Sequence, residues 1–209
     1  MAILQEISEL LQKGSAKKVK ALVEQALEEG IAASEILNNG LLAGMDIIGE
    51  KFKNNEVYVP EVLLAARAMS MGTEVLKPHL GDEGSADKGT VVLGTVKGDL
   101  HDIGKNLVRM MMEGKGLKVV DLGVDVDAAK FIEAAKEHGA KVIACSALLT
   151  TTMGEMKNVV DLVKAEGLDA VVMVGGAPVT QDFADSIGAH CYTNDAASCA
   201  DQALVFCQK

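Results

Sequence analysis

Residues 89–113 read GTVVLGTVKGDLHDIGKNLVRMMME, and the order of properties within that stretch decides the fold. Thr90 to Val96 is apolar and rich in β-branched residues, as expected of a strand buried on both faces. The polar segment from Lys97 to Gly104 interrupts it. From Ile103 to Glu113 the pattern becomes helical. Strand, loop and helix in that order open a βαβ unit. The same signals recur downstream, with strands at Lys118–Leu122, Lys141–Ser146, Ala170–Val174 and His190–Tyr192. Helices are expected between them near Ala128–His138, Met153–Glu166 and Gln181–Ile187, and a last one from Asp195 to Phe206. Strands alternating with helices predict an α/β unit, a five-stranded parallel sheet in flavodoxin-like, doubly wound order.

Upstream of residue 80 the periodicity is helical only. Ile3, Ile7, Leu10 and Leu11 share one helix face. Gly14-Ser15 breaks the pattern, and Val19, Leu22, Val23, Ala26 and Leu27 form a second stripe that stops at Gly30. A third helix is predicted from Ser34 to Phe52, burying Leu37, Leu41, Met45 and Ile48. Lys53 to Val59 reads as a loop. Pro60 suits the first turn of a fourth helix, where a missing N–H costs nothing. The expectation is a four-helix bundle over residues 1–80, a polar aperiodic linker over 81–88, and the α/β domain over 89–209.

Composition narrows the function. The 209 residues are 49% hydrophobic and 24% charged, enough for real cores in two units. Aromatics are 3% with no Trp, and the net charge is -10. Both argue against a nucleic-acid partner, which calls for stacking platforms and basic surface. No run of about 18 apolar residues predicts a membrane span. Met1 to Gly14 carries Glu6 and Glu9 and does not read as a leader peptide, so a cytoplasmic protein is expected. Cys145, Cys191, Cys199 and Cys207 lack paired-ligand spacing and read as reduced thiols rather than a zinc site.

Doubly wound sheets bind ligands beyond the carboxyl ends of their strands, which directs attention to Lys97–Gly104. A phosphate loop does not fit. Five residues rather than four separate Gly98 from Gly104, and Asn106 stands where a metal-holding hydroxyl belongs. Asp99 and Asp102 would repel phosphate. Asp99-Leu100-His101 suggests different chemistry, because a metal-bound imidazole needs an acceptor on its other nitrogen. A loop histidine beside a capping aspartate is the plainer alternative, and these residues alone leave both open. Gly104 would allow close approach of a bulky ligand or of the helix to the sheet.

Two further elements extend the pattern. Ser146-Ala147-Leu148 ends the third predicted strand, and Gly175-Gly176 ends the fourth. In order and spacing, Asp99-x-His101-x-x-Gly104, Ser146-x-Leu148 and Gly175-Gly176 resemble the signature of proteins that bind cobalamin with the base off and a histidine on. The block GTVKGDLHDIGKN resembles that family closely. The resemblance extends upstream, where Asn38–Met45 and Tyr58–Leu63 look like the helical cap of corrinoid methyl carriers. It covers nearly the whole chain.

The resemblance implies roles. His101 would be the cobalt ligand and Asp99 the acceptor for its distal N–H. Ser146, Leu148, Gly175 and Gly176 would line a slot for the cofactor's nucleotide tail. Thr152 would complete the relay to Asp99, and it also opens Thr152-Met153-Gly154-Glu155, a capping-box pattern for the next helix. The two readings of Thr152 are compatible. Met45, Met69 and Met71 would face the corrin or serve as core filler.

Neither the large catalytic barrel of the adenosylcobalamin mutases nor the basic DNA-binding region usual in corrinoid sensors is seen. The expectation is the corrinoid carrier subunit of a three-component methyltransferase system. Its cobalt would take a methyl group on one substrate-specific methyltransferase and yield it on a second, to tetrahydrofolate or a thiol. His101 would detach once the methyl is lost, with proton uptake through Asp99. The bundle would move aside for each partner, and a reductive activase would rescue oxidised cobalt. A corrinoid-dependent sensor and a metal-free flavodoxin-like binding module are the alternatives.

Overall fold

The computed structural model describes residues 2–80 and 88–209. The expected linker lies outside the described residues except for Lys88. The chain divides into two compact units. One holds the residues up to Leu80 together with Gly114–Gly116, and the other holds the rest of 88–209.

The first unit is helical throughout. Its elements are α1 (Ala2–Gln12), α2 (Ala16–Glu28), α3 (Ala33–Glu35), a π-helical stretch (Ile36–Leu42), α4 (Ala43–Lys53) and α5 (Val59–Leu76). A short 3₁₀ turn follows at Lys77–His79. The expected third helix is present, but its middle is wound as a π-helix. The wider i→i+5 bonding brings residues five apart onto one face, and Ile36 with Leu41 and Leu37 with Leu42 are all buried. Met45 and Ile48 continue that buried stripe along α4. α5 opens with Pro60 in its first turn, and the Glu61 carboxylate accepts the Tyr58 N–H at 3.0 Å. α1 packs on the π stretch and α4, and α2 packs on α5. Ile7, Leu11, Val19, Val23 and Leu76 are fully buried in that unit.

The second unit holds β1 (Thr90–Thr95), α6 (Ile103–Gly114), β2 (Lys118–Asp121), α7 (Ala128–His138), β3 (Val142–Ser146), α8 (Gly154–Ala165), β4 (Val171–Gly175), α9 (Gln181–Ile187), β5 (Cys191–Tyr192) and α10 (Ala196–Cys207). All strands are parallel, in the order β2-β1-β3-β4-β5, which is the flavodoxin-like order expected. Val92, Ile143, Val172 and Val174 meet Phe131 and Ile132 of α7 and Met156, Val159 and Val160 of α8 in one apolar cluster. Burying a side chain the size of Phe131 contributes about 3 kcal/mol. α10 packs on β3 with Ala197, Ala200 and Ala203 fully buried. No helix among the described residues is long and apolar enough to cross a membrane.

The register matters most for the site. Thr95, Ser146 and Gly175 are direct neighbours across β1, β3 and β4. The three sequence elements therefore end at one level on the carboxyl edge of the sheet.

Candidate functional site

The loop after β1 begins with a tight turn. The Asp99 N–H donates to the Val96 carbonyl at 3.2 Å, and Gly98 sits in the left-handed region with φ 78. A side chain disfavours that conformation, so glycine is needed there. The turn drives Asp99 inward until it is fully buried.

Buried Asp99 is saturated with donors. Its Oδ1 lies 2.7 Å from His101 Nδ1 and accepts the His101 N–H at 3.1 Å. Its Oδ2 accepts the N–H groups of Leu148 and Leu149 at 2.8 and 3.1 Å and the Thr152 hydroxyl at 2.9 Å. Burial alone would raise the carboxyl's pKa. The hydrogen bonds from His101, Leu148 and Leu149 overcome that and hold it well below the usual carboxylate range. Asp99 is thus a fixed anion tying the β1 loop to the β3 loop, and the buried charge is satisfied by its donors.

His101 is half exposed. With Nδ1 turned to Asp99, Nε2 is the nitrogen left for a ligand. Its backbone is fixed as well, since the fully buried Thr95 hydroxyl donates to the His101 carbonyl at 2.8 Å. The two loops tied by Asp99 and the first turn of α6 carry exposed apolar residues, Leu100 at 71%, Ile103 at 79%, Leu148 at 44% and Leu149 at 40%. Exposed apolar residues on the loops beside one free imidazole nitrogen suit a large flat ligand that brings its own metal. Among the described residues no group of three or more His, Cys, Asp or Glu is placed to hold a bare ion. The donor set thus fits a metal already chelated elsewhere.

The remaining expected residues fall on the same edge. Ser146 is half buried at the end of β3. A Cβ on Gly104 or Gly175 would meet nothing closer than 4.0 Å, so close packing of α6 on the sheet is not what Gly104 serves. Gly176 is different. At φ 132, a Cβ there would overlap the Ala147 carbonyl oxygen, so its smallness joins the β3 and β4 loops to each other. Met45 and Met69 are buried and Met71 half buried.

The capping box expected at Thr152 does not form. The hydroxyl is turned to Asp99 Oδ2 and to the Leu149 carbonyl, each at 2.9 Å. α8 begins at Gly154 without a side-chain cap. A capping box would need the Thr152 hydroxyl oxygen to accept the Glu155 N–H, and that N–H goes instead to the Thr152 carbonyl at 3.0 Å.

Several participants carried no readable signal. Thr95 reads as one more β-branched strand residue. Asp125, in the loop after β2, accepts the Gly98 N–H at 2.7 Å. Lys105 is 2% exposed, with Nζ at 2.6 and 2.7 Å from the Asp121 carboxylate and 2.9 Å from Asn106 Oδ1. It ties the first turn of α6 to the end of β2. Burial raises the Asp121 pKa, and Lys105 chiefly reverses this, leaving it lowered.

Two family models match this chain, each described as a B12 binding domain, over residues 89–201 and 3–77. A dimethylamine corrinoid protein from Methanosarcina barkeri is 46% identical over 197 residues, covering 93% of this chain and 92% of its own. A trimethylamine corrinoid protein from Methanosarcina acetivorans is 47% identical, covering 84% of this chain and 83% of its own. The crystal structure of the methanol:cobalamin methyltransferase complex MtaBC from Methanosarcina barkeri matches with a TM-score of 0.91 at 30% identity, over 99% of this chain and 80% of that one. With both units matched and the buried Asp99 gripping a half-exposed His101, the chain belongs to the family of B12-binding corrinoid proteins.

Proposed function

We propose that this protein is the methyl carrier of a corrinoid-dependent methyltransferase system. It holds the corrinoid base-off, with His101 Nε2 as the axial ligand in place of the cofactor's own base. The single observation that carries this reading is the 2.7 Å contact between His101 Nδ1 and the buried, saturated Asp99 carboxylate. When bound, the cobalt supplies the nucleophilic and methyl-donating chemistry.

The chain's own residues supply ligation and orientation. Asp99 accepts from Nδ1–H and so fixes the tautomer in which Nε2 is a lone-pair donor. Thr152, Leu148 and Leu149 occupy Oδ2 and keep the carboxylate from turning away. The apolar residues Leu100, Ile103, Leu148 and Leu149 exclude water from the ligated face. Ser146, Gly104 and Gly175 border the room for the displaced nucleotide tail, and Gly176 shapes it by joining its two walls.

The partners are a substrate-specific methyltransferase, a second methyltransferase with tetrahydrofolate or a thiol as acceptor, and a reductive activase. The relatives named for dimethylamine and trimethylamine make a methylated amine the donor class to test first. The test is affinity capture of the corrinoid-loaded protein from its source cells, followed by a transfer assay on the captured complex. The expected result is a co-captured methyltransferase and a change in the corrinoid spectrum when a methylated amine is added. Capture of transcription machinery, with the spectrum unmoved by any methyl donor, would replace the carrier with a sensor.

A further inference from the structure

We propose that Asp125 is a positioning residue for His101: its left-handed backbone and its carboxylate together fix the turn from which Asp99 grips the imidazole. This rests on His101 being the axial ligand.

Among the described residues, Asp125 is one of two non-glycine residues with positive φ, at 54. That conformation is costly for a residue bearing a side chain, and it survives where surrounding bonds over-determine it. Here the bonds run to the His101 loop. The Asp125 carboxylate accepts the Gly98 N–H at 2.7 Å, and the Asp125 N–H donates to the Asp99 carbonyl at 3.0 Å. One residue thus brackets the Gly98-Asp99 dipeptide from both ends. The flanking chain continues the seam, since the Thr95 N–H donates to the Gly123 carbonyl and the Val126 N–H to the Thr95 carbonyl, each at 3.0 Å. Val96 and Val126 form an isolated parallel bridge.

The consequence is mechanical. The tight turn at Gly98 sets where Asp99 enters the interior, and Asp99 Oδ1 sets where Nδ1 sits. Without the Asp125 acceptor the Gly98 N–H faces water, and Gly98 itself loses its one tie to the β2 loop while Asp99 keeps its own bonds. The neighbouring Lys97–Asp127 pair, at 2.7 Å, is about half exposed on both sides and adds little restraint. Asp125 therefore acts through the loop, on the angle at which Nε2 is presented.

Two substitutions separate backbone from carboxylate. Asp125→Gly keeps the left-handed backbone without strain and removes the acceptor. Asp125→Asn keeps both the acceptor oxygen and the tolerance for positive φ. The readouts are amide exchange of Gly98 before corrinoid is added, retention of corrinoid, and nitrogen splitting in the EPR spectrum of the bound cobalt(II) form. Asp125→Gly is expected to speed Gly98 exchange and weaken corrinoid retention by about tenfold, the scale of one charge-assisted hydrogen bond. Its nitrogen splitting should become heterogeneous, and Asp125→Asn should restore all three readouts to within about threefold of wild type. If Asp125→Gly matches wild type, or Asp125→Asn is as impaired as Asp125→Gly, the inference is overturned while the axial role of His101 stands. If wild type itself shows no nitrogen splitting, the axial reading and this inference fall together.

Discussion

At the scale of single residues, Asp99 decides how His101 behaves. The pairing was legible in sequence, because two residues on one loop need no fold to meet. The bond from Thr152 to Asp99 came only from the family resemblance, since it joins two loops that the register across the sheet brings together. Thr95 and Asp125 were invisible for the same reason, as their bonds cross between segments. Asp99→Asn puts one acceptor oxygen where several donors converge, and unmet buried N–H groups cost about 1–3 kcal/mol each. We expect a loss of about 3 kcal/mol in urea unfolding. The pH dependence has a definite sign. The folded pKa of Asp99 is depressed, so its contribution is complete above the unfolded value near 3.9 and fades as pH falls toward the folded value. The stability gap between wild type and Asp99→Asn should be flat from about pH 8 to 5 and shrink below about pH 4. A gap that stays flat as pH falls through about 4 would show that the folded pKa of Asp99 is not depressed.

At the scale of elements, the alternation of apolar runs and helical stripes made the order of strands and helices legible, along with the parallel sheet. The π winding of Ile36–Leu42 was not legible. Leu37, Leu41, Met45 and Ile48 fit an α-helix equally well, and Leu42, which an α-helix would turn off that face, is buried with them in the π winding. Gly175-Gly176 was read as a lining for a ligand slot, and the closeness of Gly176 to the Ala147 carbonyl oxygen, which leaves no space for a Cβ, was not legible because it crosses between two strands. Gly176→Ala combines a positive φ with overlap onto backbone that has no side chain to swing aside. We expect a loss of about 3 kcal/mol or more and weaker corrinoid retention, because the β3 and β4 loops must part. Unchanged thermal unfolding in that variant would show that the junction is soft.

At the scale of the whole molecule, the change from helical to alternating pattern near residue 80 revealed two units before any coordinates. All four cysteines belong to the second unit, which makes them reporters on that unit alone. Cys145 is buried in β3 with its thiol pushed up to about 12 by burial, and burial pushes Cys199 up to about 12 as well. Thiolate is the reactive form, so at neutral pH both should resist alkylation until the α/β unit opens. Mass mapping after a brief maleimide pulse should find Cys145 and Cys199 unlabelled in the native protein and labelled in urea; prompt native labelling of Cys145 would contradict the packed sheet. The central claim is that this molecule carries its corrinoid through His101. The most direct measurement is the visible spectrum of the corrinoid-loaded protein and of His101→Ala after gel filtration. Wild type should retain the cofactor, and the variant should show a shifted cobalt(III) spectrum and lose cofactor on the column. An identical spectrum with identical retention would mean that His101 is not the axial ligand.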